Sequence, residues 1–309
     1  MKQPLMERRE ALLLLAGGAA IAEGCAAEAK TTPRQPRSRR GGSDGRVVRN
    51  GRVKQGVALW PWTFKRKVPL ENLLAQAAAM GLSSADMVPP QLWQRVRAAG
   101  LQVSVGLPLH GGAMSISKGI NVRANHDGIV RAFEVMVPRA AAAKVPNLVC
   151  SFGNRQPKMS RDEAISNSVA CLNRCKGSAE KHGVTLVLEI LNSKRDHVGY
   201  IGDSSAYALE IIKAVASSHV KLLFDIYHAQ VSEGDVTQTI KEQHAWIAHY
   251  QIAGNPGRHE IDDSQELNYP SILRAILATG YKGYVVHEFV PTKPDPIASL
   301  REAARICDV

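Results

Sequence analysis

From residue 54 onward, short β-rich runs alternate eight times with longer helical patterns, and few folds accommodate that order. The runs fall at 56–60, 85–88, 102–107, 147–152, 185–190, 221–225, 247–252 and 283–288. The helical segments follow at 70–80, 91–99, 127–143, 161–182, 204–216, 237–245, 269–278 and 296–307. Four of these helices run into Gly81, Gly100, Gly183 and Gly280, where a left-handed C-terminal cap favours glycine. Ser160-Arg161-Asp162-Glu163 has the form of a capping box. Leu186-Val187-Leu188 and Val285-Val286 are apolar on consecutive residues, as parallel strands covered on both faces must be. Together these features predict an α/β fold, a single (β/α)8 TIM barrel over 55–309. A doubly wound open sheet is the competitor, but no glycine-rich phosphate loop follows the first strand.

Charge first suggests nucleic acid: the net value is +11 over 309 residues. Its location argues otherwise. Residues 1–54 hold 12 Lys/Arg and 5 Asp/Glu, whereas the remainder holds 27 basic and 23 acidic groups. The excess therefore sits in a segment at 30–54 rich in Arg, Gly, Ser and Pro, which reads as a basic flexible linker. The balanced barrel lacks the phosphate-binding surface that DNA recognition needs, so no nucleic-acid partner is expected. Residues 1–29 resemble an export signal. Arg8-Arg9 precede an apolar stretch at 11–22, and small residues follow at Ala26-Ala27, a pattern that suggests twin-arginine export to the periplasm. Cys25 offers a lesser alternative, attachment to the membrane as a lipoprotein. No run reaches the ~18 apolar residues of a spanning helix. Cys171 and Cys175 share a helix face without a second Cys/His pair, so buried free thiols are expected rather than zinc.

In such a barrel the chemistry lies at the C-terminal ends of the strands. Four polar residues occur there in otherwise apolar strands: Glu189, Asp225, Gln251 and Glu288. Each alone could be a structural residue, but three carboxylates and an amide oxygen at one barrel end form a hard, oxygen-rich set suited to one Mn²⁺ or Mg²⁺. With a divalent ion holding a carbonyl and a neighbouring hydroxyl, Glu189 and Glu288 could remove and return a carbon-bound proton through an enediolate. His228 and Arg258 are placed to bind oxygens or a carboxylate of the substrate. Asn192 and Glu260 lie close by in sequence. Trp60 either stacks on a sugar or packs the rim, and His110 either lines the pocket or faces solvent.

At these residues the sequence resembles the hydroxypyruvate isomerase family, within the xylose isomerase-like TIM barrels that include ketose 3-epimerases. LEILN, FDIYHAQVSEGD, HYQIAGNPGRHEID, ELNYP and GYVVHEF carry the resemblance, which runs from about Gln55 to the C-terminus. It implies metal ligands at Glu189, Asp225, Gln251 and Glu288, the two glutamates as the proton-transfer pair, and His228 as a substrate-binding histidine. Gln251 and the PGRHE run at 256–260 side with the hydroxypyruvate isomerases, since the epimerases usually place His at the position of Gln251. The expected reaction is hydroxypyruvate to tartronate semialdehyde; the alternative is an exported keto-sugar 3-epimerase, or an enzyme of oxidised sugars or glycosides, using the same site. The partner is then a small keto acid or sugar. Related barrels form dimers or tetramers, so a homo-oligomer is compatible with the resemblance. The superfamily also resembles apurinic endonucleases, but those use a histidine-rich zinc cluster, and this chain offers one plain site. A barrel that only binds sugar would not need two glutamates facing across a metal.

Overall fold

The structure, a computed structural model, describes residues 45–108 and 114–309. The leader, with Arg8-Arg9 and Cys25, lies outside the described residues, as does His110. Strands β1 (Lys54–Ala58), β2 (Ser84–Asp86), β3 (Gln102–Val103), β4 (Val105–Gly106), β5 (Asn147–Cys150), β6 (Thr185–Glu189), β7 (Val220–Asp225), β8 (Ile247–Ile252) and β9 (Tyr284–His287) form one parallel sheet. Its order is β3-β2-β1-β9-β8-β7-β6-β5-β4. β3 and β4 are the two halves of the third barrel strand, so the order brings the sheet round on itself. The break falls at Ser104, whose carbonyl accepts from Asn147 Nδ2 (2.9 Å), while its own N–H bonds Ala85 O (2.9 Å). One half thus pairs with β2 and the other with β5.

Helices α1 (Leu70–Met80), α2 (Trp93–Ala98), α3 (His126–Ala142), α4 (Arg161–His182), α5 (Ser205–Val215), α6 (Ile226–Ser232), α7 (Val236–Gln243), α8 (Tyr269–Ala278) and α9 (Pro296–Ile306) connect the strands. Their ends follow local chemistry. Ser160 Oγ accepts from Glu163 N at the start of α4, and Gly183 ends that helix at φ +67°, where a side chain would be strained. No helix among the described residues is long and apolar enough to cross a membrane.

The folded unit begins at Arg46, earlier than the expected boundary at 55. Val47 and Val48 donate backbone N–H groups to Met80 O, and Val48 is buried against the core. The Asp308 carboxylate accepts the N–H groups of Arg49, Asn50 and Gly51 at 2.6–3.1 Å. This clasp ties the segment before β1 to the end of the chain, so residues 46–54 belong with the barrel rather than with a linker. Cys150, Cys171, Cys175 and Cys307 are buried free thiols; burial pushes the Cys150 and Cys307 thiols up, away from reactivity.

Inside the barrel, Met87, Val105, Val149, Val187 and Leu223 form a small apolar floor. Side chains two residues apart on a strand share a face. Val187 and Leu223 therefore place Glu189 and Asp225 inward, one layer nearer the C-terminal rim.

Candidate active site

Glu189 ends β6, Asp225 ends β7, Gln251 lies in β8 opposite Asp225, and Glu288 follows β9. One oxygen from each of Glu189, Asp225 and Glu288 lies within 4.8 Å of the others, and all three residues are buried. Three such carboxylates repel one another and lose hydration, so they need cationic partners. Arg258 supplies one. Its Nη2 stands 3.0 Å from both Asp225 Oδ2 and Glu288 Oε2. The guanidinium lies over Trp60 on one ring and Tyr227 on another, at 5.4 and 5.6 Å. Trp60 also donates Nε1–H to Glu288 Oε1 at 2.5 Å. Trp60 thus lies against the carboxylate cluster, whereas Trp62 is wholly buried and donates to Pro296 O.

The turn after β7 carries His228 into the same place. Asp225 is the N-cap of α6, its Oδ1 accepting from His228 N at 3.2 Å. His228 Nδ1 faces two donors of Asn192, the backbone N (3.1 Å) and Nδ2 (2.6 Å). That nitrogen is therefore the acceptor, and in the neutral ring the proton sits on Nε2. Nε2 lies 2.8 Å from Arg258 Nη1, so the imidazole and the guanidinium are in direct contact beside the carboxylate cluster. Asn192 itself acts as a brace. Its Oδ1 accepts from Arg195 N and Asp196 N, and Asp196 Oδ2 accepts from both Asn192 Nδ2 and the Tyr227 hydroxyl.

Glu260 corrects the sequence expectation. Its oxygens accept from Thr292 N, Lys293 N, Ser299 Oγ and Thr292 Oγ1 at 2.7–3.1 Å, fastening the loop after β9 instead of meeting substrate. Burial pushes its carboxyl up, but the Lys293 and Thr292 N–H groups and the Thr292 hydroxyl together hold it below the usual range. A lowered folded pKa gives stability that is present above the ordinary carboxylate pKa and lost as pH falls through the folded value. Glu260→Gln is accordingly expected to cost about 1–2 kcal/mol at neutral pH. Thermal unfolding between pH 7 and 3 should show the gap to the wild type closing with acid; a constant gap would refute the assignment.

Sequence reasoning missed Asp86, which is fully buried inside the barrel. Its Oδ2 accepts from Gln251 Nε2 and contacts His249 Nε2, both at 3.0 Å. Gln251 Oε1 is buried with no hydrogen-bond partner among the described residues. An acceptor left so costs about 1–3 kcal/mol unless something fills the role. A divalent cation would fill it, and the three neighbouring carboxylates are the hard donors such an ion takes.

The profile of the xylose isomerase-like TIM barrel family matches residues 56–308, and the chain belongs to that family. The protein is 40% identical over 114 residues to a 2-oxo-tetronate isomerase of Cupriavidus necator, spanning 37% of this chain and 43% of that one. It is 26% identical over 231 residues to a 2-oxo-tetronate isomerase of Pectobacterium atrosepticum, spanning 72% and 87%. Over 165 residues it is 30% identical to the hydroxypyruvate isomerase of Escherichia coli, spanning 53% and 62%. The chain thus spans less than half the length of the first of these relatives, all three of which are named as isomerases. Among solved structures, a family 2 AP endonuclease from Brucella melitensis superposes with a TM-score of 0.70 at 22% identity, over 80% of this chain and 97% of that one. The 3-keto-D-glucoside 4-epimerase from E. coli gives 0.65 at 21%, over 81% and 97%. Both likenesses concern the fold.

Proposed function

We propose that the protein is a divalent-metal-dependent isomerase of short 2-oxo acids, with hydroxypyruvate to tartronate semialdehyde as its reaction. The Arg258 guanidinium, held in contact with His228 beside two buried glutamates, carries this reading. A substrate carboxylate accepts from the guanidinium, and a neutral ketose offers no such charge. The relatives named 2-oxo-tetronate and hydroxypyruvate isomerase point to the same class of acid.

Glu189, Asp225, Gln251 and Glu288 would hold the ion, and Mn²⁺ or Mg²⁺ suits their oxygen donors. When bound, the ion polarises the substrate carbonyl and stabilises negative charge on the enediolate. The chain's own residues move the protons. For hydroxypyruvate, one glutamate takes a proton from C3, the C2–C3 double bond forms, and that proton, passed between the two glutamates, returns to C2. The O3 hydroxyl proton passes to O2, leaving an aldehyde at C3 and a hydroxyl at C2. Trp60 and Tyr227 flank the guanidinium and keep water from the charged face.

A substrate panel on metal-stripped protein tests this. Hydroxypyruvate and 2-oxo-tetronate are expected to turn over once Mn²⁺ or Mg²⁺ is returned, while ketoses without a carboxylate are not. Activity confined to neutral ketoses would move the site to the epimerase branch.

A further inference from the structure

Asp86 lies on β2, across the barrel interior from β8, and belongs to none of the strand ends that form the carboxylate cluster. We infer that Asp86 is a positioning residue that sets the orientation of the Gln251 amide and so determines which arm is offered to the metal. This inference rests on the metal site proposed above.

A glutamine amide can face either way, and its two arms are nearly equal in size. Asp86 Oδ2 accepts from the NH₂ arm at 3.0 Å, and an oxygen arm in that place would set two acceptors against each other. With Nε2 held there, Oε1 is the arm left over, and it is buried without a hydrogen-bond partner among the described residues. His249 shares the inward face with Gln251 and stands 3.0 Å from the same oxygen, while Ser104 Oγ approaches the other oxygen at 3.4 Å. These contacts pin the carboxylate itself. An acidic side chain wholly buried among apolar strands is costly to retain for packing alone. Holding a ligand's orientation from behind is the role that partners of metal ligands commonly play, and losing one weakens metal binding by about 10–100-fold.

The test is calorimetric titration of the metal-stripped full chain with Mn²⁺. The proteins are wild type, Asp86→Ala, Gln251→Ala and the double variant, each with its metal-free unfolding temperature. Asp86→Ala is expected to weaken Mn²⁺ binding by about 10–100-fold. In the Gln251→Ala background the same change should weaken it no further, because the residue it orients is gone. Asp86→Asn, whose single oxygen can take both N–H bonds, should restore affinity to within about threefold of wild type. Where the alanine leaves an intolerable cavity, Asp86→Val keeps the strand preference and carries the same comparison. Wild-type affinity in Asp86→Ala, or a full loss repeated in the Gln251→Ala background, would overturn the inference and leave the metal site standing. No Mn²⁺ binding by the wild type would remove both.

Discussion

Glu288→Gln is expected to leave the barrel folded and to lower turnover of hydroxypyruvate by about 10³-fold or more, the scale on which a proton-transfer group contributes. The substitution keeps the shape of the side chain and removes its charge. A glutamine has one acceptor arm, so it can satisfy either Trp60 Nε1 or Arg258 Nη2, whereas the carboxylate meets both. The lost contact costs stability, but relief of repulsion from Glu189 and Asp225 works the other way. The net change in unfolding is therefore smaller than the change in rate. Glu189→Gln is expected to behave alike. Glu260→Gln, though close to Arg258 in sequence, should keep its turnover because its carboxylate serves the loop after β9. Steady-state rates and elemental metal content of the three variants check this. Turnover within threefold of wild type in Glu288→Gln with full metal content would remove Glu288 from the chemistry.

Much of this arrangement was legible because its signals are local. The ends of α1, α4 and α8 coincide with those expected from glycine caps and apolar periodicity, since a cap is decided by neighbouring residues. The four polar strand ends were legible because an acid in an apolar strand needs a reason. What escaped depended on distant partners. The split of the third strand at Ser104 follows from Asn147 taking a ladder carbonyl, which no spacing within 102–107 reveals. Helix α6 was hidden because Asp225 both ends a strand and caps the next helix, so no break in the sequence separates the two. Asp86 lies within the expected run at 85–88, but nothing in SSADMV marks it as a partner of Gln251 and His249, which only the closed barrel brings to it. Glu260 in PGRHE looked like a substrate contact, and only the fold shows Thr292 and Lys293 occupying it.

Arg258→Met is expected to destabilise the metal-free protein by about 3–5 kcal/mol, the cost of removing one partner from a buried ion pair. For a chain of this size that is a fall in melting temperature of roughly 10 °C. Methionine is the informative replacement: it is unbranched, and residue 258 sits at φ +60°, where a branched side chain would add strain of its own. The loss should depend on metal. Arg258 Nη2 lies between Asp225 Oδ2 and Glu288 Oε2, so in the metal-free protein the guanidinium supplies positive charge to the cluster. Mn²⁺ at the proposed site would supply positive charge to the same carboxylates and stabilise the folded state in proportion to RT ln(1 + [L]/Kd). The gap between variant and wild type should therefore narrow once Mn²⁺ is added. Turnover should not recover with it, because the variant lacks the guanidinium proposed to meet the substrate carboxylate. Thermal unfolding with and without Mn²⁺, set beside KM for hydroxypyruvate, separates the two roles of the arginine. A metal-free Arg258→Met as stable as wild type would remove the counter-ion role of Arg258.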